Sequence, residues 1–146
     1  MKNFFKVRIA PLFGLAVFIV AIGFSIVGCK TDDTEDNDYE MLNGVWDRGD
    51  IVVTFNNSDG VFTQINSNSG WETVQNRGHI KIGDKKFKNI TGGNLKWTAQ
   101  TLTYDLNTYV LKDWEDCTIT MDAGGQTLQT ITADVTNPVS TYTRVK

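Results

Sequence analysis

The sequence offers few combinations of the residue types that catalysis needs. His79 is the only histidine, so no histidine cluster for zinc exists and no Cys/His pair is evident. We expect His79 at the surface of a strand. Cys117 alternates with Ile119 and Met121, a period of two that places the three side chains on one face of a strand. We therefore expect Cys117 to be a small side chain buried in the core rather than a nucleophile.

A group of acids around Trp114 is the remaining candidate for catalysis. Asp113, Glu115 and Asp116 flank this tryptophan and offer the pair of carboxyl groups that glycoside hydrolysis uses. Such a pair must be held at a set distance across a sugar-binding cleft, and the small barrel predicted below leaves little room for one. We interpret these acids as the solvated end of a strand, and we expect the protein not to be an enzyme.

Four lysines lie close together in the sequence. Lys81, Lys85, Lys86 and Lys88 are opposed only by Asp84. Lysines keep the edge of a sheet soluble and prevent it from pairing with another edge, which is the interpretation we favour. The alternative is a docking site for an acidic or phosphorylated partner.

Aromatic residues are more numerous than the core of a small domain requires. Tryptophan and tyrosine are favoured in pockets and at interfaces because they join a large apolar surface to a polar group. We expect some of five aromatic residues to line such a site: Trp71, Trp97, Tyr104, Tyr109 and Trp114.

The first part of the chain has the layout of a secretory signal. Lys2, Lys6 and Arg8 give a basic start, and no charged side chain occurs from residue 9 to residue 29. A basic head followed by an apolar middle is typical of an export signal. A run of about 20 uncharged residues is also long enough to span a membrane, so an uncleaved membrane anchor is the alternative.

The end of this apolar run, Ile26-Val27-Gly28-Cys29, resembles the lipobox of bacterial lipoproteins. The resemblance implies that residues 1–28 are a signal peptide removed before Cys29, that the Cys29 sulfur receives a diacylglycerol, and that its new amino group is acylated. One acyl chain holds a protein to a membrane only marginally, whereas two or more hold it stably. We therefore expect a lipid-anchored protein of the bacterial cell envelope, in the outer membrane or at the cell surface.

Residues 29–40 are expected to be a disordered tether. Almost nothing apolar follows Cys29, so this segment cannot bury enough surface to offset the entropy cost of ordering. A sorting signal is the alternative, since acids shortly after the lipidated cysteine resemble the surface-export signals of some Gram-negative lipoproteins. Six acids carry this interpretation: Asp32, Asp33, Glu35, Asp36, Asp38 and Glu40.

Charge gives no indication that nucleic acid is a partner. The formal net charge is −3, and removal of the three basic residues of the signal takes it to −6. Most of that charge lies in the tether, and residues 41–146 are close to neutral. A near-neutral domain lacks the basic surface that nucleic acids require. No metal or cofactor is expected either.

Residues 41–146 are predicted to form one all-β domain. Short apolar runs alternate with Gly, Asn and Asp clusters, which is typical of strands joined by turns. About eight strands joined in sequence form an antiparallel up-and-down meander, which exposes two edges unless it closes into a barrel. We predict hairpins that pair residues 51–55 with 61–65 and residues 79–82 with 86–90, and strands over residues 95–106, 114–121, 126–133 and 140–145.

An eight-stranded barrel has an interior wide enough to be filled by side chains or to hold one small ligand. Strand periodicity turns one set of side chains inward. We predict that this set forms the walls of a site for a small hydrophobic ligand: Ile51, Val53, Phe55, Trp97, Cys117 and Ile119.

Two short features of this domain resemble lipocalins and related calycins. Gly44-Val45-Trp46 is similar to the Gly-x-Trp with which those barrels open, and Arg144 is similar to their late basic residue. The resemblance spans residues 41–146 and implies a closed barrel with Trp46 packed under Arg144 at the narrow end. It implies no particular ligand, and this domain is shorter than most lipocalins, with no clear helix near its C-terminus.

The sequence predicts a non-catalytic binding module, and two alternatives stay open. One is a protein-interaction module, such as a host-protein binder or a peptidase inhibitor. Small lipidated β-barrels of bacteria include such inhibitors, and residues 39–43 would be the reactive segment here. The other is a barrel packed solid that serves as a coat of the envelope. The interior volume of the barrel separates a hollow module from a filled one.

Overall fold

The computed structural model describes residues 37–133 and 139–146. The predicted signal peptide, the lipobox with Cys29 and most of the acidic tether lie outside the described residues. The strands are β1 (Gly44–Asp47), β2 (Ile51–Asn56), β3 (Asp59–Ile65), β4 (Lys85–Gly93), β5 (Lys96–Thr101), β6 (Glu115–Met121), β7 (Thr127–Thr132) and β8 (Val139–Arg144), with one helix, α1 (Gly70–Asn76), between β3 and β4.

The eight strands form a closed antiparallel barrel. Each strand pairs with the next along the chain, and β8 returns to pair with β1, where Trp46 lies opposite Arg144. Closure gives every strand two hydrogen-bonded neighbours, which removes the free edges of the meander. The predicted fold class, an all-β, lipocalin-like meander barrel, is confirmed.

The first predicted hairpin is also confirmed. β2 and β3 are joined by a tight turn in which Asn57 adopts a φ of 54°, a left-handed conformation that asparagine tolerates. Ile51, Val53 and Phe55 alternate with more exposed neighbours and are buried inside the barrel. The period of two in the sequence therefore reports the inner face correctly.

The second predicted hairpin is wrong, because residues 79–82 are not a strand. They belong to a loop that returns from α1, and Lys81 N donates to the Asp84 carboxylate at 2.9 Å. Backbone bonds of 2.8 and 2.9 Å join Gly83 and Asp84 to Phe62 in β3. The loop thus occupies the edge of β3 just before β4, and β4 pairs with β3 and β5 instead.

The long strand predicted over residues 95–106 is too long. β5 ends at Thr101, and residues 102–114 form a loop with one isolated bridge, Tyr104 to Leu111. The Asp105 carboxylate accepts from the backbone and side chain of Thr108 at 2.8 and 2.9 Å, which closes a tight turn. The apolar alternation shifts from Leu95, Trp97 and Ala99 to Leu102, Tyr104 and Leu106, and β5 ends at this shift.

The helix α1 was not predicted, and its start has an N-cap. Ser69 accepts from the backbone N–H of Glu72 at 3.0 Å, and the Glu72 carboxylate accepts from Asn68 N at 2.7 Å. This arrangement is close to a capping box, which satisfies otherwise unpaired donors at a helix start. Trp71 and Val74 are buried by this helix.

One end of the barrel, which we call the closed end, contains residues 37–43. The Trp97 indole donates to Asp38 O at 2.9 Å, and the Tyr39 hydroxyl donates to Ile90 O at 2.8 Å. Leu42 is completely buried and accepts from the Trp46 indole at 2.9 Å. The segment that precedes the barrel is thus part of its floor.

Large apolar side chains fill the interior next to the closed end. Phe55 and Phe87 pack with ring centres 5.1 Å apart. The core also contains several other fully buried residues: Trp46, Phe62, Ile90, Ile119 and Leu128. Buried side chains therefore occupy this part of the interior.

Candidate functional site

A cavity of about 390 Å³ lies at the opposite, open end of the barrel. Its walls come from the β1–β2 turn, α1, the loop over residues 102–114 and the adjoining parts of β4 to β8. The side chains that matter for its chemistry are Arg48, Trp71, Lys86, Tyr104, Glu115 and Tyr142.

An irregularity in β4 points Lys86 into this cavity. Gly60 pairs with Phe87, but the next residue of β3, Val61, pairs with Lys85, so β4 has one extra residue at this step. Such a bulge breaks the alternation of side chains along a strand. Lys86 and Phe87 are consequently both buried although they are neighbours, and Lys86 is only 3% exposed.

The amino group of Lys86 forms hydrogen bonds only with uncharged groups among the described residues. Its Nζ donates to Thr101 Oγ1 at 2.9 Å and to the carbonyl oxygen of Leu102. It also lies 4.7 Å from the centre of the Trp71 ring and 5.2 Å from that of Phe87, contacts that favour a positive charge. Burial first, and then the nearby charge of Arg48, outweigh them and lower the pKa of Lys86 to about 7.

Arg48 and Asp50 form an ion pair on the adjacent wall. The guanidinium donates to both carboxylate oxygens, at 2.6 and 2.5 Å, and to Ser140 Oγ at 3.3 Å. Burial disfavours the charge of Arg48, but Tyr142 and the Asp50 carboxylate more than compensate and raise its pKa. The Asp50 carboxylate is therefore already paired with Arg48 and not with Lys86.

Four buried polar atoms around the cavity have no hydrogen-bond partner among the described residues. They are Trp71 Nε1, Thr103 Oγ1, Glu115 Oε2 and Tyr142 Oη. Burial raises the pKa of Tyr142 to about 12, so its hydroxyl keeps its proton. A buried polar atom without a partner costs about 1–3 kcal/mol, and most buried polar atoms in proteins avoid it. Four such atoms at one cavity mark it as a place where water or a ligand would supply the missing partners.

Aromatic rings form the apolar part of the same cavity. Trp71 and Tyr104 meet edge to face, with ring centres 4.7 Å apart, and Tyr109 stacks on Tyr104 at 6.0 Å. The expectation that some aromatic residues line a pocket thus holds for Trp71 and Tyr104. Trp97 lies at the closed end, and Trp114 lies under Lys88, whose Nζ is 4.1 Å from its ring centre.

The residues predicted as walls of a hydrophobic site are buried but lie elsewhere. None of the six lines the open-end cavity. Burial raises the pKa of the Cys117 thiol to about 12, consistent with a core residue. All six side chains belong to the buried hydrophobic core: Ile51, Val53, Phe55, Trp97, Cys117 and Ile119.

The acids around Trp114 do not form a catalytic pair. Glu115 faces the cavity, whereas Asp116 points to the outer surface and accepts from Gln100 Nε2 at 3.2 Å. Asp113 and His79 are exposed. Within residues 37–133 and 139–146, no group of three or more His, Cys, Asp or Glu residues could hold a metal ion.

The four lysines that are close in sequence are separated in space. Lys85 pairs with Asp59 at 2.8 Å, Lys88 stacks on an indole, and Lys86 lies inside the barrel. Lys81 lies in the exposed loop before β4. The basic cluster considered as a docking site is therefore not present at the surface as a group, because Lys86 lies in the interior.

Sequence reasoning missed most of the cavity. The Ser69-x-x-Glu72 pattern could have predicted α1 and with it the position of Trp71. No comparable signal marks Arg48, Lys86 or Tyr142, since their inward positions depend on pairing between strands.

Comparison of the chain with protein-family models, curated proteins and solved structures gives no match. Within the described ranges, no helix has the length and apolar character needed to cross a membrane.

Proposed function

We propose that this protein is a lipid-anchored protein of the bacterial envelope and that its barrel is a non-catalytic binding module for a small polar ligand. The ligand enters the open-end cavity. The observation that carries this proposal is the set of four buried polar atoms without a partner around the cavity.

These atoms determine which hydrogen-bond donors and acceptors the ligand must have. Trp71 Nε1 can only donate a hydrogen bond and the Glu115 carboxylate can only accept one, while the Thr103 and Tyr142 hydroxyls can do either. A ligand with both acceptor and donor atoms would satisfy all four. The rings of Trp71 and Tyr104 would cover a flat apolar part of the same ligand.

The size and lining of the cavity favour a small polar molecule over a wholly hydrophobic one. Ligand sites typically measure about 300–1,000 Å³, so a volume near 390 Å³ suits a compact molecule. A purely hydrophobic molecule would leave the buried polar atoms without partners. The apolar interior that we expected to hold such a molecule is occupied by side chains.

The proposed anchor depends on the lipobox-like sequence that ends at Cys29. Residues 37–40, the last four residues of the proposed tether, are built into the closed end, so the described chain begins opposite the cavity. A peptidase-binding role for residues 39–43 would require this segment to leave the barrel floor, where Leu42 is buried.

Ligand binding is tested by two tyrosine-to-phenylalanine variants of the full chain. A panel of small polar aromatic compounds is screened by native mass spectrometry against the wild type, and the affinity of any compound that binds is then measured for both variants. Tyr142→Phe removes a buried hydroxyl that has no hydrogen-bond partner among the described residues, so we expect stability equal to or higher than that of the wild type and at least a several-fold loss of affinity.

Tyr39→Phe is the matched control, because its hydroxyl bonds to Ile90 at the closed end. We expect it to lower the free energy of unfolding by about 1 kcal/mol and to leave affinity unchanged. Equal affinity in all three proteins, or no binding by the wild type, would contradict the proposal.

A further inference from the structure

We propose that the cavity also binds carbonyl compounds covalently: the Lys86 amine attacks the carbonyl carbon of a small aldehyde or ketone and forms an imine. This inference rests on the proposed entry of ligands into the open-end cavity. It adds the chemical class of the ligand and the atom to which that ligand becomes attached.

The first support is the position of the amine. Lys86 is 3% exposed, and the surface it retains faces the cavity rather than the outside of the barrel. No carboxylate among the residues that the structure describes lies within 4 Å of its Nζ. A buried lysine is ordinarily paired with an acid, so the usual structural explanation for burying this charge is missing.

The second support is the hydrogen bonding of Nζ. A neutral amine has two N–H donors and one lone pair, and the two protein acceptors, Thr101 Oγ1 and the Leu102 carbonyl, use both donors. The lone pair is then left over and is the nucleophile in imine formation. A charged ammonium would have a third N–H, for which the described residues supply no oxygen.

The groups that face Lys86 explain why it can be neutral. Arg48 from the β1–β2 turn disfavours its charge, while Asp50, Glu115 and Cys117 favour it more weakly. Together with burial they bring the pKa of Lys86 to about 7, so that about half of the amine is unprotonated at neutral pH. Buried lysines with lowered pKa values are the ones that form Schiff bases.

The reaction balances without any further reactant. The lone pair of Nζ forms a bond to the carbonyl carbon, and the carbonyl oxygen takes up a proton to give a carbinolamine. Loss of that oxygen as water, with the second proton from nitrogen, leaves a carbon–nitrogen double bond. No oxidant or reductant is needed, and hydrolysis returns the free lysine and the carbonyl compound.

The experiment uses 4-hydroxybenzaldehyde as the probe, with sodium cyanoborohydride to reduce the imine to a stable amine. The full chain is treated at pH 7, and modified lysines are identified by peptide mass spectrometry. Lys88 and Lys96, which lie outside the cavity, are internal controls in the same molecule. We expect Lys86 to be modified at least ten times faster than either.

Two further measurements distinguish a built site from a chance reaction. In 8 M urea the preference for Lys86 should disappear, since it depends on the folded cavity and not on local sequence. Lys86→Arg should remove the fast modification and leave the slow background at the other lysines.

Modification of Lys86 at the same rate as Lys88 and Lys96 in the folded protein would overturn the inference. So would a preference that persists in urea. If compounds bind in the native mass spectrometry screen but Lys86 does not react selectively, the inference fails while the proposed function stands. Selective modification of Lys86 without reversible binding of any compound would support imine formation in the cavity and would contradict the proposed non-covalent binding.

Discussion

The guanidinium carbon of Arg144 lies 4.4 Å from the centre of the Trp46 ring, and the two residues face each other where β8 meets β1. The same guanidinium donates to three carbonyl oxygens at the closed end, those of Gly125 at 2.8 Å, Asn43 at 3.1 Å and Met41. One side chain thus joins the last strand, the segment before the first strand and the β6–β7 turn.

Arg144→Ala should lower the free energy of unfolding by about 2–4 kcal/mol, because three carbonyl oxygens lose a charged donor and the Trp46 face is uncovered. Urea unfolding measures this change. Arg144→Lys should recover only part of this free energy of unfolding. An ammonium group lacks the planar, forked set of donors with which the guanidinium reaches several carbonyl oxygens. Lys146→Ala, an exposed change two residues away, is the control and should have no measurable effect.

Stability should rise with pH between about pH 7 and pH 9. The pKa of Lys86 is lowered from its ordinary 10.5 to about 7 in the folded state, so in this interval the unfolded chain holds a proton that the folded chain lacks. The free energy of unfolding then increases by up to about 1.4 kcal/mol per pH unit. Urea unfolding at pH 7, 8 and 9 measures the slope.

The rise should not continue far above pH 9. Cys117 and Tyr142 both have pKa values raised to about 12, so the unfolded chain loses their protons before the folded chain does and stability falls. Lys86→Met is the control for the lower interval, and its stability should be nearly independent of pH from 7 to 9. An unchanged slope in this variant would show that another group is responsible.

Gly70→Ala should disturb the cavity wall. A Cβ at Gly70 would collide with the hydroxyl and the ring of Tyr104, which packs against the Trp71 ring. We expect a loss of about 1–3 kcal/mol from overpacking, together with a changed near-ultraviolet circular dichroism spectrum. In the background of Tyr104→Ala the same change should be nearly neutral, because the ring with which it collides is gone.

Cys29→Ala should abolish lipid attachment. If Cys29 is the lipidated residue, the wild-type chain incorporates labelled fatty acid in bacteria and partitions into the detergent phase of Triton X-114, and the variant does neither. Cys117→Ala is the matched control, because Cys117 is the only other cysteine and is buried in the barrel. Incorporation of fatty acid by the Cys29 variant would contradict the proposed anchor.

Short-range patterns were sufficient wherever local geometry fixes the direction of a side chain. Ile51, Val53 and Phe55 alternate along one strand, so their shared inward face follows from the period of two alone. The Gly44 and Trp46 pair with Arg144 was predicted from its resemblance to lipocalins. The structure adds the reason for the glycine, since a Cβ at Gly44 would lie 2.8 Å from Arg144 Nη1.

The sequence by itself determined the all-β class, the meander and most of the inner face, and it predicts the export signal and the lipid anchor. Only the tertiary structure decided where the barrel is filled and where it is hollow. Lys86 shows why: in a regular strand it would alternate with Phe87 and point outward, but an extra residue in β4 relative to β3 turns it into the cavity. Strand register depends on pairing between distant segments, which no local pattern specifies.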